Sequence, residues 1–167
     1  KRTFEPALYL AGEHGDPPVT YRDVFHTLWA GRRHVMMGAA QIDRFGNQNI
    51  SCIGDHERPK AQLIGVRGAP GNTVCHATSY WVPRHSRRVF VEAVDFVCGV
   101  GGPRVRRIVS DLGVFDLGGP DGSMRIVSRH PGVEVEEIRD ATGFPLWVEG
   151  ETPTTRMPTA EELEILG

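Results

Sequence analysis

The sequence is poor in lysine, thin in cysteine and without a long apolar run. Of its 19 basic residues only Lys1 and Lys60 are lysines; the rest are arginines. An anionic ligand would therefore meet guanidinium groups, whose planar fork of donors suits phosphate and carboxylate. The 21 acidic residues bring the net charge to -2, and no block of like charge is long enough to be a binding tail, which argues against a nucleic-acid surface. No apolar stretch approaches the ~20 residues a bilayer-spanning helix needs. The first six residues, beginning Lys1, Arg2, also lack the apolar core of a signal peptide. The three cysteines, Cys52, Cys75 and Cys98, are odd in number and widely spaced among apolar or small neighbours. Buried thiols in a reducing compartment fit them better than disulfides or a zinc site, so a cytoplasmic protein is expected. Seven scattered histidines form no H-x-x-x-H pair, and there is neither a C-x-x-C motif, nor a G-x-G-x-x-G fingerprint, nor an internal repeat.

What is there reads as one domain, since 167 residues can bury a sizeable core. Residues 7–10 are a short strand candidate running into Gly12, Glu13, His14 and Gly15, where two glycines let the backbone approach a ligand while a carboxylate is presented. Thr20 followed by Asp23 resembles a capping box. Behind it, Tyr21, Val24, Phe25, Leu28 and Trp29 fall on one face of a helix closed by Gly31, a stripe expected to pack in the core. The basic cluster Arg84, His85, Arg87 and Arg88 precedes an expected strand at 89–94. A further strand at 106–110 is followed by a hairpin that starts at Val114 and returns through 118–122 to 124–128. Residues 135–142 form a short acidic helix, and Pro158, Thr159 and Glu162 start a last one.

The chain is organised around residues 38–51. An apolar run at 34–37 leads to Gly38, where a strand ends and a loop begins, the place where open α/β sheets hold ligands. Gly46 and Asn47 then supply a tight turn. The polar groups of this stretch are amides and one Asp, with no nucleophile and base in reach of one another. Downstream, Gly65, Gly68 and Gly71 punctuate a loop whose N–H groups can face an oxyanion. His76 and Ser79 invite a catalytic pairing, but triads are assembled in space and such local spacing does not establish one.

The pattern G-A-x-Q-I-D-x-x-G-N-x-N at 38–49 resembles the signature of the beta-type subunit of class I CoA-transferases, the group that includes glutaconate CoA-transferase. Further segments follow in family order: G-V-R-G-A-P-G-N at 65–72, H-A-T-S-Y-W at 76–81, R-V-F-V-E-A-V-D at 88–95, V-S-D-L-G-V-F at 109–115, H-P-G-V at 130–133 and A-T-G-F at 141–144. Within the family the sequence is most similar to the branch of beta-type subunits whose enzymes open steroid rings carried as CoA thioesters in cholesterol breakdown.

The resemblance implies an α/β fold with an open, mostly parallel sheet flanked by helices. It makes residues 1–167 a single domain lacking the family's first strand-helix unit and extreme C-terminus. It also implies an alpha-type partner subunit, an acyl-CoA substrate that brings coenzyme A with it, and no permanently bound cofactor. Glu13 resembles the glutamate that attacks the thioester carbonyl to give a mixed anhydride, which CoA thiolate converts to a glutamyl-CoA thioester. Gly38, Gln41, Gly65, Gly68, Gly71 and Asn72 are the residues implied to surround the thioester oxygen, with Asn47, Arg67 and His76 touching substrate or CoA. In the ring-opening branch water is the acceptor and the acid/base work falls mainly to the partner. Three functions stay open at this point: a ring-opening hydrolase, a transferase acting through Glu13, and a subunit that only binds and scaffolds.

Overall fold

The computed structural model describes Thr20, Arg22, Asp23, His26, Trp29, Ala30 and residues 33–166. The expected strand at 7–10 and the Glu13 loop lie outside them. Arg22, Asp23, His26 and Trp29 have helical backbone, and the cap ahead of them is reciprocal: the Thr20 N–H donates to Asp23 Oδ2 at 2.9 Å and the Asp23 N–H to Thr20 Oγ1 at 3.3 Å. Trp29, read from the sequence as core, is 74% exposed.

The main sheet has five strands in the order β1-β6-β7-β8-β9. Strand β1 (His34–Gly38) pairs in parallel with β6 (Ala77–Val82), and β6 in parallel with β7 (Val105–Ser110). Strands β8 (Gly113–Asp116) and β9 (Arg125–Arg129) continue antiparallel. Among the described strands the sheet is thus mixed, two parallel pairings followed by two antiparallel ones. The β8–β9 hairpin falls where turn residues at 118–122 put it. Two ribbons lie between β1 and β6: β2 (Gln41–Ile42) with β3 (Gln48–Asn49), and β4 (Cys52–Ile53) with β5 (Ala61–Gln62). Helix α1 (Ala69–Cys75) returns the chain to β6. Helices α2 (Val135–Ala141) and α3 (Ala160–Leu166) follow β9. Helix α3 begins with the capping box read from sequence, Thr159 N–H to Glu162 Oε2 at 2.8 Å and Glu162 N–H to Thr159 Oγ1 at 3.2 Å.

The core gathers Tyr80 and Val82 of β6, Ile108 of β7, Phe115 of β8, Ile126 of β9 and Ile138 of α2, joined by Ile42, Phe90, Met124 and Phe144. Alternation along β6 and β8 sends these side chains to one face. The register shift between Thr78 and Ser79 lets Val105 and Ile108, three apart, both turn inward.

The expected strand at 89–94 is reduced to a single parallel bridge between Ile42 and Phe90. Its backbone is claimed from two sides, with Ile42 N–H donating to Val89 O at 2.7 Å and Gly143 N–H to Phe90 O at 2.8 Å. Only Phe90 is fully buried there, so β-branched composition alone did not make a ladder.

Residues 98–101 cross the β2–β3 ribbon closely. Gln48 N–H donates to Gly99 O at 2.8 Å, Cys98 N–H to Gln48 O at 2.8 Å, and Gly101 N–H to the Asn47 Oδ1 at 2.9 Å. A Cβ at Gly101 would collide with the Phe45 carbonyl oxygen, so no larger residue fits the crossing as built.

His85, in the cluster read as basic, is buried and stacked on Phe90 with ring centroids 3.6 Å apart and 4° between planes. Thr142 donates its hydroxyl proton to Ile138 O at 2.7 Å, so His85 Nε2 must carry the proton of the 2.9 Å bond to Thr142 Oγ1. Nδ1 then accepts from Ser110 Oγ at 3.0 Å. Burial, partly offset by Asp111, lowers its pKa from 6.5 to about 4. Because the unfolded chain takes up this proton first, the stability is held above pH 6.5 and lost as pH falls towards 4. The loss expected from His85 alone is about 3 kcal/mol. Urea unfolding across this window should show it, and His85→Gln, whose amide does not titrate, should flatten that part of the profile; an unchanged profile would contradict the assignment.

Candidate functional site

Strand β1 ends at Gly38, and the glycine-rich loop that starts α1 comes back beside it. Between them opens a cavity of about 440 Å³. Gly38, Arg67, Gly68 and Asn72, expected at the site from sequence, share its wall with Gln48 and an apolar side formed by Met37, Ile50 and Ile64. A second cavity of about 420 Å³ lies on the other side of the same loop, with Arg67, Gly68 and Asn72 in common and Gly71 and Trp29 added. This explains the exposure of Trp29: its ring forms a cavity rim, within 4.0 Å of a Cβ built at Gly71. Gly65 lines neither cavity, and its N–H is engaged by the Ile50 carbonyl at 3.2 Å.

Arg67 is the one charged side chain on the first wall. Its φ of 48° places a non-glycine residue in the left-handed region, at a cost of order 1 kcal/mol. Its guanidinium is exposed and has no hydrogen bond or ion pair among the described residues. The N–H groups of Arg67 and Gly68 likewise have no partner among the described residues. One loop therefore carries a cation and two unpartnered backbone donors on adjacent residues, a combination that suits a carboxylate, a phosphate or a thioester oxygen.

The other amides of the organising stretch are engaged internally. Gln41 donates to Asp95 Oδ2 at 2.9 Å, and its own oxygen accepts from Asn49 Nδ2 at 2.7 Å and the Asp95 N–H at 3.0 Å. Asn49 Oδ1 accepts from the Ser51 N–H at 2.9 Å. Asn47 bonds Asp43 Oδ2 at 2.9 Å and holds Gly101. Asp43 closes the turn by accepting from the Phe45 and Asn47 N–H groups, both at 3.0 Å. Gln41 and Asn47 thus build the loop, and neither lines either of these two cavities.

His76 is fully buried behind α1, with neither ring nitrogen hydrogen-bonded. It makes no pair with Ser79. That hydroxyl instead meets His34 Nε2 at 2.8 Å, tying β6 to β1. Glu13 lies outside the described residues.

Sequence reading missed Gln48 and the apolar wall. Gln48 sits between Asn47 and Asn49 in the organising stretch, so it stood in plain view, but nothing local distinguishes a cavity-lining amide from a structural one. Among the described residues no group of three or more His, Cys, Asp or Glu could hold a metal ion. No helix of the described residues is long and apolar enough to cross a membrane.

Residues 10–141 match the coenzyme A transferase family. The chain is 55% identical over 155 residues to the IpdB component of the cholesterol ring-cleaving hydrolase of Mycobacterium tuberculosis, covering 86% of this chain and 62% of that protein. It is 32% identical to one of the subunits of the 3-oxoadipate CoA-transferase of Pseudomonas knackmussii, over 92% of this chain and 65% of the relative. The crystal structure of Rhodococcus jostii RHA1 IpdAB superposes with a TM-score of 0.82 at 49% identity, over 87% of this chain and 64% of that one. The chain therefore spans a little under two thirds of the length of these relatives.

The left-handed Arg67 yields a direct expectation. Arg67→Gly should raise the unfolding free energy in urea by about 1 kcal/mol, because glycine adopts this conformation without the Cβ penalty. A loss of stability would show that the guanidinium makes contacts that offset the strain.

Proposed function

The chain belongs to the coenzyme A transferase family, and from that premise we propose that it is the beta-type subunit of a heteromeric enzyme acting on acyl-CoA thioesters. The substrate is a steroid-derived ring, opened by water as in cholesterol breakdown, and the enzyme works in the cytoplasm. The observation that carries this reading is the 55% identity to a component of a ring-cleaving hydrolase, against 32% to a component of a transferase. Coenzyme A arrives as part of the substrate and no resident cofactor is required.

The wall of the β1–α1 cavity supports the division of labour. Its described residues offer Arg67 and loop N–H groups for an anionic or carbonyl oxygen, amides for orientation, and apolar side chains for a hydrocarbon, but no carboxylate or imidazole. A general acid or base must come from elsewhere, and an alpha-type partner is the natural source. In this role Arg67, Gly68 and Asn72 hold the ligand; each fixed donor aimed at a developing oxyanion contributes about 3 kcal/mol to such a reaction.

The transferase reading differs at one residue. Glu13, which has Gly12 and Gly15 close by in sequence, would carry CoA as a glutamyl thioester. The two are separated by incubating the complex of this subunit and its alpha-type partner with a ring-bearing steroid acyl-CoA, trapping with borohydride or hydroxylamine, and mapping peptides by mass spectrometry. The expected result is a ring-opened product that has gained one water without any acceptor acid, with Glu13 unmodified and Glu13→Ala still active. A modified Glu13, with turnover abolished in Glu13→Ala, would establish the transferase instead. Absence of any turnover or CoA binding by the complex would leave only the scaffolding role.

A further inference from the structure

Two buried polar atoms, one of them on the cavity-lining Gln48, have no partner although they suit each other. Gln48 is fully buried, and its Nε2 donates to the carbonyl of Gly38 at the cavity edge. Turning that amide over would set two oxygens against each other, so the orientation is fixed and Oε1 must face away from β1. It faces Gly99, where a built Cβ would stand 3.0 Å from it. The same point is 3.4 Å from the hydroxyl of Tyr80, which is also fully buried. Neither Gln48 Oε1 nor the Tyr80 hydroxyl is hydrogen-bonded. One is an acceptor and the other a donor, and leaving either unsatisfied in the interior is costly.

The surroundings leave them few other partners. Thr73, the third wall of this socket, presents its methyl group 2.9 Å from the same point and uses its hydroxyl on Ala69 O at 3.1 Å and the Val100 N–H at 3.0 Å. The backbone of Gln48 is already bonded to Cys98 and Gly99. Tyr80 stands in register with Met37 on β1, the residue before Gly38.

We infer that the Tyr80 hydroxyl is linked to Gln48 Oε1 through one water across the bare Cα of Gly99, and that Tyr80 is thereby a positioning residue for the cavity. The line of contacts runs from Tyr80 through Gln48 to the Gly38 carbonyl. It holds the end of β1 at the spacing from the Arg67–Gly68 loop that a ligand requires. Gly99 is a glycine here because a methyl group would wedge into the gap between donor and acceptor. The functional half of this inference rests on the cavity being the acyl-CoA site; the pairing itself does not.

The two halves are tested separately on the complete complex with its alpha-type partner. For the pairing, unfolding is compared for wild type, Tyr80→Phe, Gln48→Leu and the double variant. Tyr80→Phe is expected to lower the midpoint in the wild-type background and to have no effect in the Gln48→Leu background. If Tyr80→Phe leaves the midpoint unchanged or raises it, the hydroxyl has no partner and the inference is overturned. For the positioning, CoA is titrated calorimetrically well below the unfolding transition. Tyr80→Phe and Gly99→Ala should each weaken CoA binding about tenfold, the scale of one lost hydrogen bond, with no further loss when combined. Wild-type affinity in a folded Tyr80→Phe complex would reduce Tyr80 to a structural residue and overturn the positioning role. Failure of wild-type complex to bind CoA at all would instead overturn the acyl-CoA reading of the cavity while the unfolding comparison still decides the pair.

Discussion

The close crossing of residues 98–101 over the β2–β3 ribbon is the constraint on which the site depends. Backbone groups of Cys98 and Gly99 pair with Gln48, Gly101 takes the side chain of Asn47, and Val100 takes the hydroxyl of Thr73 on α1. A short run of main chain is thereby bonded to the ribbon that carries Gln48 and to α1, each of which lends residues to the cavity wall. The bonds to Gln48 are main chain on both sides and vary little with side-chain identity, whereas those to Asn47 and Thr73 require these two side chains. The cost of the crossing is steric: the backbone approaches Phe45 so closely that Gly101 has no room for a Cβ.

From that crossing the placement of the wall follows in two steps. The ribbon delivers Gln48 beneath Gly38, and α1, held through Thr73, delivers Asn72 and the Arg67–Gly68 turn opposite. The network of Gln41, Asn49 and Asp95 braces the ribbon from the other side. It uses amides where apolar packing could also have filled the space. Buried amides satisfied at both ends specify one geometry, whereas apolar contacts tolerate sliding. Such rigidity suits a region that must hold hydrogen-bond donors ready for a reacting group.

What was legible in the sequence was local. The boxes at Thr20 and Thr159 are written in residues three apart, and the β8–β9 hairpin in its turn, so both appear where expected. The end of β1 at Gly38 and the glycine-rich return were legible for the same reason. Residues 89–94 carry strand-like composition, yet their backbone is divided between Ile42 and Gly143, and no local signal announces partners so far away in the chain. Gln48 was passed over because its neighbours Asn47 and Asn49 look the same on paper. The difference is made by Gly38, whose carbonyl takes its Nε2, and by Gly99, whose backbone pairs with its own; both meet it only in three dimensions. His85 misled for a related reason: Arg84, Arg87 and Arg88 placed it in a cluster read as basic, while its ring lies on Phe90 and is held by Ser110 and Thr142.

The chemistry of the wall sets how its parts divide the work. A wall whose described residues offer a guanidinium, N–H groups and amides can hold and orient a thioester, but it includes no carboxylate or imidazole to act as general acid or base. Arg67 sharpens the point. Its backbone occupies a conformation that glycine would adopt at lower cost, and its side chain has no partner among the described residues. Strain persists where surroundings or ligand contacts compensate it. At this position the described surroundings supply no bond to the guanidinium, which leaves it available to a ligand of the cavity it lines. On the proposed reading, binding by this chain and proton transfer from beyond its described residues are complementary requirements of one reaction, which is what an enzyme built from two unlike subunits would provide.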